Sequence, residues 1–178
     1  MSTIPSGGVG GVLGDIQDAR QAGLRPFANV DLTSSQRSQI QSIIQAARQS
    51  GSFKGVGTQI QAVLTPAQQA FAKADIAAAV AQFGNAQKPS GPPTTKPNPI
   101  TPDQWAADVK DAQQAGINPY ANLNLTADQQ SQVNAILQNA VKTNSFDGVG
   151  AQLKAVLTPP QVTFARFDTA ALLSQFGS

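Results

Sequence analysis

The sequence predicts an all-α protein built from two tandem repeats of four helices each. The first observation is a gapless internal duplication, in which residues 15–84 return as residues 108–177 and Leu32 returns as Leu125. The second is the spacing of apolar residues, which recur every three or four positions through both copies as in amphipathic helices. Two copies in one chain predict two similar folded units packed as a pseudo-two-fold pair.

The predicted helices follow the apolar pattern and its stop signals. A short first helix ends before Gly23, and its copy ends before Gly116, because glycine is typical just past a helix C-terminus. Gly51 and its counterpart Asn144 close the second helix, since both residue types tolerate left-handed backbone. The second, third and fourth helices carry apolar stripes, seen at Ile40, Ile43, Ile44 and Ala47, at Phe53, Val56, Ile60 and Val63, and at Phe164, Phe167, Leu172 and Phe176.

Composition divides the chain into a flexible Ser/Gly-rich N-terminus (1–10), helical repeat 1 (11–84), a Pro-rich linker (85–102) and helical repeat 2 (103–178). Proline-rich segments favour extended, semi-rigid spacers, and this linker is long enough for one unit to dock on the other. A unit of roughly 75 residues has a small core, so we expect the two repeats to pack together.

An LTxxQ element occurs twice in each repeat and predicts the start of a helix. Thr-x-x-Gln is a capping box, in which the Thr hydroxyl accepts from the backbone N–H of the Gln, and the Gln side chain accepts from the Thr N–H. Pro66 and Pro159 suit the first helical position, where a missing N–H does no harm. The predicted N-cap pairs are Thr33 with Gln36, Thr65 with Gln68, Thr126 with Gln129, and Thr158 with Gln161.

Paired LTxxQ elements, each starting a helix, resemble the LTxxQ (Spy/CpxP-like) family of periplasmic proteins. The resemblance covers both repeats and implies Spy-like helical units in the manner of a dimer fused into one chain. It also implies a periplasmic or secreted protein with its signal peptide removed, acting as an ATP-independent chaperone or stress-response binder of unfolded or partner polypeptides. The family's binding cradle is rich in Arg, Lys and Met, whereas this chain has one Met and few cations.

Composition narrows the possible classes of function. The chain has no Cys, no His and no Glu, which removes thiolate chemistry together with the commonest metal ligand and the commonest acid/base group, histidine. We therefore expect no enzyme, no cofactor and no metal. The formal net charge is only +2 without a Lys/Arg cluster, so a nucleic-acid partner is not expected. No apolar run approaches the ~20 residues of a membrane span.

The pattern of several side chains allows either a functional or a structural interpretation. The carboxylate pairs Asp15/Asp18 and Asp108/Asp111 allow an acid/base or calcium site, but a favourable charge near a helix N-terminus is the stronger interpretation. Trp105 allows ligand stacking, although packing at the start of a helix is favoured.

The candidate binding surface consists of aromatic residues in the loops and hairpins of both repeats, namely Phe27, Phe53, Tyr120 and Phe146. Core packing is the favoured alternative for the loop residues Phe27 and Tyr120. For the whole protein, the alternative function is a structural or self-assembling helical repeat, a secreted matrix or surface component with a second copy as its partner. Low charge, abundant Gln, Asn and Ala, and the Pro-rich linker favour that alternative.

Overall fold

The structure, a computed structural model, describes residues 9–84 and 100–177, without the side chains of residues 9 and 10. Over these ranges the predicted all-α class is confirmed, and no strand is formed. Repeat 1 contains α1 (Val9–Gln21), α2 (Ser34–Ser50), α3 (Val56–Val63) and α4 (Pro66–Phe83). Repeat 2 contains α5 (Pro102–Gln114), a short 3-10 turn (Ala121–Leu123), α6 (Ala127–Thr143), α7 (Val149–Val156) and α8 (Pro159–Phe176).

The start of α1 differs from the sequence prediction. Residues 1–10 are predicted to be flexible, yet α1 begins at Val9 and continues through a glycine-rich stretch. Each glycine inside a helix costs about 1 kcal/mol relative to alanine. The buried Ile16 and Ala19 belong to the core, and α1 packs on α4, so tertiary packing outweighs the weak local preference. Residues 1–8 lie outside the described residues.

The start of α5 also differs, because it lies inside the predicted linker 85–102. Thr101 is the N-cap and Pro102 the first helical residue. The Thr101 hydroxyl accepts from the Gln104 N–H at 3.3 Å, and the Gln104 side chain accepts from the Thr101 N–H at 2.9 Å. This is the same capping box as in the LTxxQ elements, without the preceding leucine. The remainder of the predicted linker, 85–99, lies outside the described residues.

The two repeats share one core. Helices α4 and α8 pack along each other at its centre, while α1 covers α4 and α5 covers α8. Phe71 of α4 and its counterpart Phe164 of α8 are both fully buried there. The α2–α3 and α6–α7 hairpins lie outside this four-helix centre.

The loops that follow α1 and α5 hydrogen-bond to each other across the repeats. Val30 and Ile117 form an isolated antiparallel bridge. The Asn118 N–H donates to the Asn29 carbonyl at 2.8 Å, and the Arg25 N–H donates to the Asn122 carbonyl at 2.7 Å. The loops therefore form part of the seam between the repeats, and they also hydrogen-bond to α4 and α8.

Candidate binding cleft in repeat 2

The four LTxxQ threonines are N-caps, of α2, α4, α6 and α8 in turn. In every case the Thr hydroxyl accepts from the Gln backbone N–H, and the Gln side chain accepts from the Thr backbone N–H. Two of the unpaired donors at each helix start are thereby satisfied.

The glutamines also join the two boxes of each repeat. Gln36 Nε2 donates to Gln68 Oε1 at 2.8 Å, and Gln129 Nε2 donates to Gln161 Oε1 at 2.9 Å. Each pair ties the start of the second helix to the start of the fourth. Gln68 and Gln161 are 3% and 7% exposed, so these residues hold the hairpins in place and offer no surface to a ligand.

An apolar cleft with a volume of about 620 Å³ lies in repeat 2, between α5, the 3-10 turn, the α6–α7 hairpin and α8. Trp105, Tyr120 and Phe146 line it, and we call it the aromatic cleft. Its aliphatic lining includes Ile100, Val109, Leu125, Val133, Leu137, Val149 and Leu153. Its polar lining is uncharged and consists chiefly of Gln113, Asn118, Gln130, Asn134 and Thr169. Among the described residues, no Asp, Lys or Arg lines this cleft.

A chain of hydrogen bonds orients the aromatic side chains. Thr169 Oγ1 donates to the Ala165 carbonyl at 2.8 Å. The Tyr120 hydroxyl, 3.2 Å from Thr169 Oγ1, therefore donates to it, and accepts from Trp105 Nε1 at 3.2 Å. The Trp105 ring meets Phe146 edge-on, with ring centroids 6.3 Å apart. Edge-to-face geometry is a favourable arrangement for aromatic rings.

The cleft stays neutral over the ordinary pH range. Burial raises the pKa of Tyr120 to about 12, outweighing its hydrogen bonds to Thr169 and Trp105. The phenol therefore keeps its proton at neutral pH. A neutral, desolvated lining favours an uncharged, apolar occupant, because a charged group would lose its hydration without gaining a partner.

The four aromatic candidates divide between the repeats. Tyr120 and Phe146 come together in the aromatic cleft. Phe27 is half-buried against the core, and Phe53 is 49% exposed. Sequence reasoning missed Trp105 as the residue that joins Tyr120 and Phe146. The replacement of Val12 in repeat 1 by Trp105 in repeat 2 was the available signal, since few other core positions differ so much in size.

The carboxylate pairs do not build a metal centre. In the described ranges no group of three or more His, Cys, Asp or Glu side chains is placed to hold a metal ion. Burial, followed by repulsion from Asp111, raises the pKa of Asp108, and burial followed by repulsion from Asp18 raises that of Asp15.

Comparison with known proteins found no relative of this chain. No protein-family model, curated protein or solved structure matches the chain. Within the described residues, no helix combines the length and the apolar character needed to cross a membrane. The motif residues and the geometry of the aromatic cleft are therefore the features that bear on function.

Proposed function

We propose that this chain is a non-enzymatic, extracytoplasmic protein that captures apolar segments of other polypeptides in the aromatic cleft. The observation that carries the proposal is the cleft itself, whose volume of about 620 Å³ falls within the ~300–1,000 Å³ typical of ligand sites. The paired LTxxQ elements support a Spy-like, fused-dimer architecture acting as an ATP-independent chaperone or stress-response binder. A periplasmic or secreted location, with the signal peptide removed, belongs to the same proposal.

The lining chemistry suits an unfolded polypeptide. Burying apolar side chains against Trp105, Phe146 and the aliphatic wall yields roughly 25 cal/mol per Å² removed from water. The exposed amides of Gln113 and Asn118 offer donors and acceptors to the peptide backbone of a client. Because neither kind of contact depends on a charged group of the client, we expect the cleft to capture many apolar segments with little sequence preference.

An aggregation-suppression assay with matched variants tests this proposal. Phe146→Ser changes a cleft residue, whereas Phe53→Ser changes its counterpart outside the cleft. We expect Phe146→Ser to lose most of the suppression shown by the native protein and Phe53→Ser to retain it. Circular dichroism checks that both variants remain helical. Equal suppression by both variants would exclude the aromatic cleft as the capture site.

Ionic strength provides a second test. Exposed charge interactions are screened beyond ~8–10 Å at physiological salt, whereas apolar contacts persist. The formal net charge of +2 offers little steering of a charged client. We therefore expect client capture to be undiminished when salt is raised several-fold, and a steep loss would show that charges carry the binding.

Self-assembly is the second candidate function, favoured by exposed apolar side chains. Leu13 is 59% exposed, Phe53 49% and Val141 41%. Light scattering over a range of protein concentrations measures self-association directly. Growth of assemblies that Phe53→Ser prevents, together with no suppression of client aggregation, would favour the structural role.

A further inference from the structure

Four polar side chains lie fully buried at the seam between the repeats. Asp75 on α4 and Asp168 on α8 are counterparts, and so are Asn29 and Asn122 in the two loops. All four have a relative exposure of 0%. We call this group the seam tetrad.

A single amide joins the two carboxyl groups. Asn29 Nδ2 donates to Asp168 Oδ1 at 3.0 Å and to Asp75 Oδ1 at 3.4 Å. Asn122 Nδ2 donates to Asp75 Oδ1 at 2.5 Å. The two carboxyl groups therefore lie within the reach of one NH₂ group, on the two helices that pack most closely.

The carboxyl groups also hold the backbone of both loops. The Phe27 N–H donates to Asp75 Oδ2 at 2.5 Å, and the Tyr120 N–H donates to Asp168 Oδ2 at 3.2 Å. Phe27 and Tyr120 have φ angles of 70° and 68°, in the left-handed region that side-chain-bearing residues rarely adopt. Each acid thus stabilises an otherwise unfavourable loop conformation, and Asp168 does so for Tyr120, which lines the aromatic cleft.

No cation of the described residues offsets the two acids. The helices and loops packed around the tetrad carry other ionisable side chains, and none of these side chains hydrogen-bonds to it. These ionisable residues are Asp15, Asp18, Arg20, Arg25, Asp31, Lys73, Asp103, Asp108, Lys110, Asp111, Tyr120 and Arg166. Two carboxylates this close in an apolar interior cannot both ionise at low cost. The geometry therefore calls for a proton in the tetrad.

We propose that the seam tetrad is a proton-binding site, in which Asp75 and Asp168 hold a proton between them and its release loosens the packing of α4 on α8 and disturbs Tyr120 at the aromatic cleft. The ligand is the proton itself. The consequence is a protein whose two repeats are held together more firmly in acid than in alkaline solution.

The electrostatics of the pair agree with this geometry. Burial raises the pKa of Asp75 to about 7, against the effect of hydrogen bonds from Phe27, Asn122 and Asn29. Burial, and then the charge of Asp75, raises the pKa of Asp168 well above its ordinary value. The unfolded chain loses these protons near pH ~4. The stabilisation is therefore fully present below pH ~4, declines above it, and is lost once the pH has risen through the folded-state pKa values, about 7 for Asp75 and well above the ordinary value for Asp168.

Urea unfolding of the full chain across pH tests the proposal. Between pH ~5 and pH ~8.5 the unfolding equilibrium constant of the native protein should rise, by up to about tenfold per pH unit for each proton retained. Asp168→Asn removes one acid but keeps its size, so its pH dependence should be flatter, reduced to the part that Asp75 alone contributes. Asp18→Asn, an exposed aspartate on α1, should follow the native protein. A native stability that is constant or rises over this range would overturn the proposal.

A second measurement needs no variant. Carbon-13 NMR of aspartate-labelled native protein should show two carboxyl carbons that titrate far above the ordinary pKa of ~3.9. The protein has a single tryptophan, so fluorescence reports on Trp105 at the cleft alone. Its emission should change over the same pH range in the native protein and in Asp18→Asn.

Two outcomes would refute distinct parts of the inference. If all aspartate carbons titrate near pH ~4, the tetrad holds no proton. If the carbons titrate high but Trp105 emission stays constant, the link from the tetrad to the cleft is wrong. Neither measurement uses a client polypeptide, so both stand apart from the proposed capture function.

Discussion

Repeat 1 and repeat 2 build different surroundings for the start of their first helix. Three pairs of equivalent positions differ between the repeats: Val12 corresponds to Trp105, Phe27 to Tyr120, and Ile76 to Thr169. In repeat 2 the three polar atoms form a chain of hydrogen bonds that orients Trp105 against Phe146. In repeat 1 none of the three side chains carries a polar atom. A duplicated scaffold thus acquires a candidate binding cleft in one copy through a few side chains.

The hairpins show the same asymmetry. Val149 and Leu157 at the two ends of α7 are buried, whereas their counterparts Val56 and Leu64 in repeat 1 are half-buried. Trp105 reaches the α6–α7 hairpin through Phe146, whereas its counterpart Val12 has no ring with which to make the matching aromatic contact. We infer that the tryptophan anchors the second hairpin, and that the first is held mainly by its capping boxes and glutamine pair.

The shared core should not distinguish the repeats. Phe71→Ala and Phe164→Ala each empty a fully buried site at the contact of α4 with α8. We expect each to lower the free energy of unfolding by about 3–5 kcal/mol, through lost transfer energy and the cavity left behind. Urea unfolding measures both, and a cost for one that is less than half of the other would show that the core belongs mainly to one repeat.

Trp105→Val gives repeat 2 the residue of repeat 1 and should cost about 1–3 kcal/mol, since the half-buried indole loses its packing and its hydrogen bond. Hydrogen exchange should show α6 and α7 opening as readily as α2 and α3. Val12→Ala is the control, and it should leave the exchange of α6 and α7 unchanged. Unaltered protection in Trp105→Val would mean that the tryptophan does not anchor the hairpin.

The capping boxes should contribute equally to the free energy of unfolding in both repeats. Thr65→Ala and Thr158→Ala each leave one N–H at the start of α4 or α8 without its side-chain acceptor. The expected cost is about 0.5–2 kcal/mol for each. Thr58→Ala, at an exposed position within α3, is the matched control and should be close to neutral. Thermal unfolding distinguishes these cases, and neutral cap variants would show that the boxes contribute little.

Tyr120→Phe gives repeat 2 the loop residue of repeat 1 and should have the smallest effect. It removes the acceptor of Trp105 Nε1, at an expected cost of about 0.5–1.5 kcal/mol. Trp105 emission should shift because the indole N–H loses its partner. Thr169→Val breaks the same chain one bond further on, so the double variant should cost less than the sum of the two single changes. Additive costs would show that the hydrogen bonds act independently.

Much of the fold could be predicted from the sequence because helix caps and apolar periodicity depend on residues that are close together in the chain. A capping box depends on two residues three positions apart, so Thr33 and Thr158 could be assigned from the sequence alone. The same rule applied to Thr101 and Gln104 would have located the start of α5, but the surrounding prolines indicated a linker instead. The glycines at the start of α1 misled in a similar way, since packing on α4 overrides their weak helix preference.

The sequence by itself determined the two repeats, the all-α class and the four helix starts at the LTxxQ elements, because periodicity and capping act over a few residues. Only the tertiary structure decided which aromatic residues form a cleft and which acids lie buried together at the seam. Asn29 hydrogen-bonds to Asp168, 139 residues away in the chain. Trp105 of α5 contacts Phe146, which lies between α6 and α7. Burial and charge coupling depend on such long-range contacts, which apolar spacing along the chain does not encode.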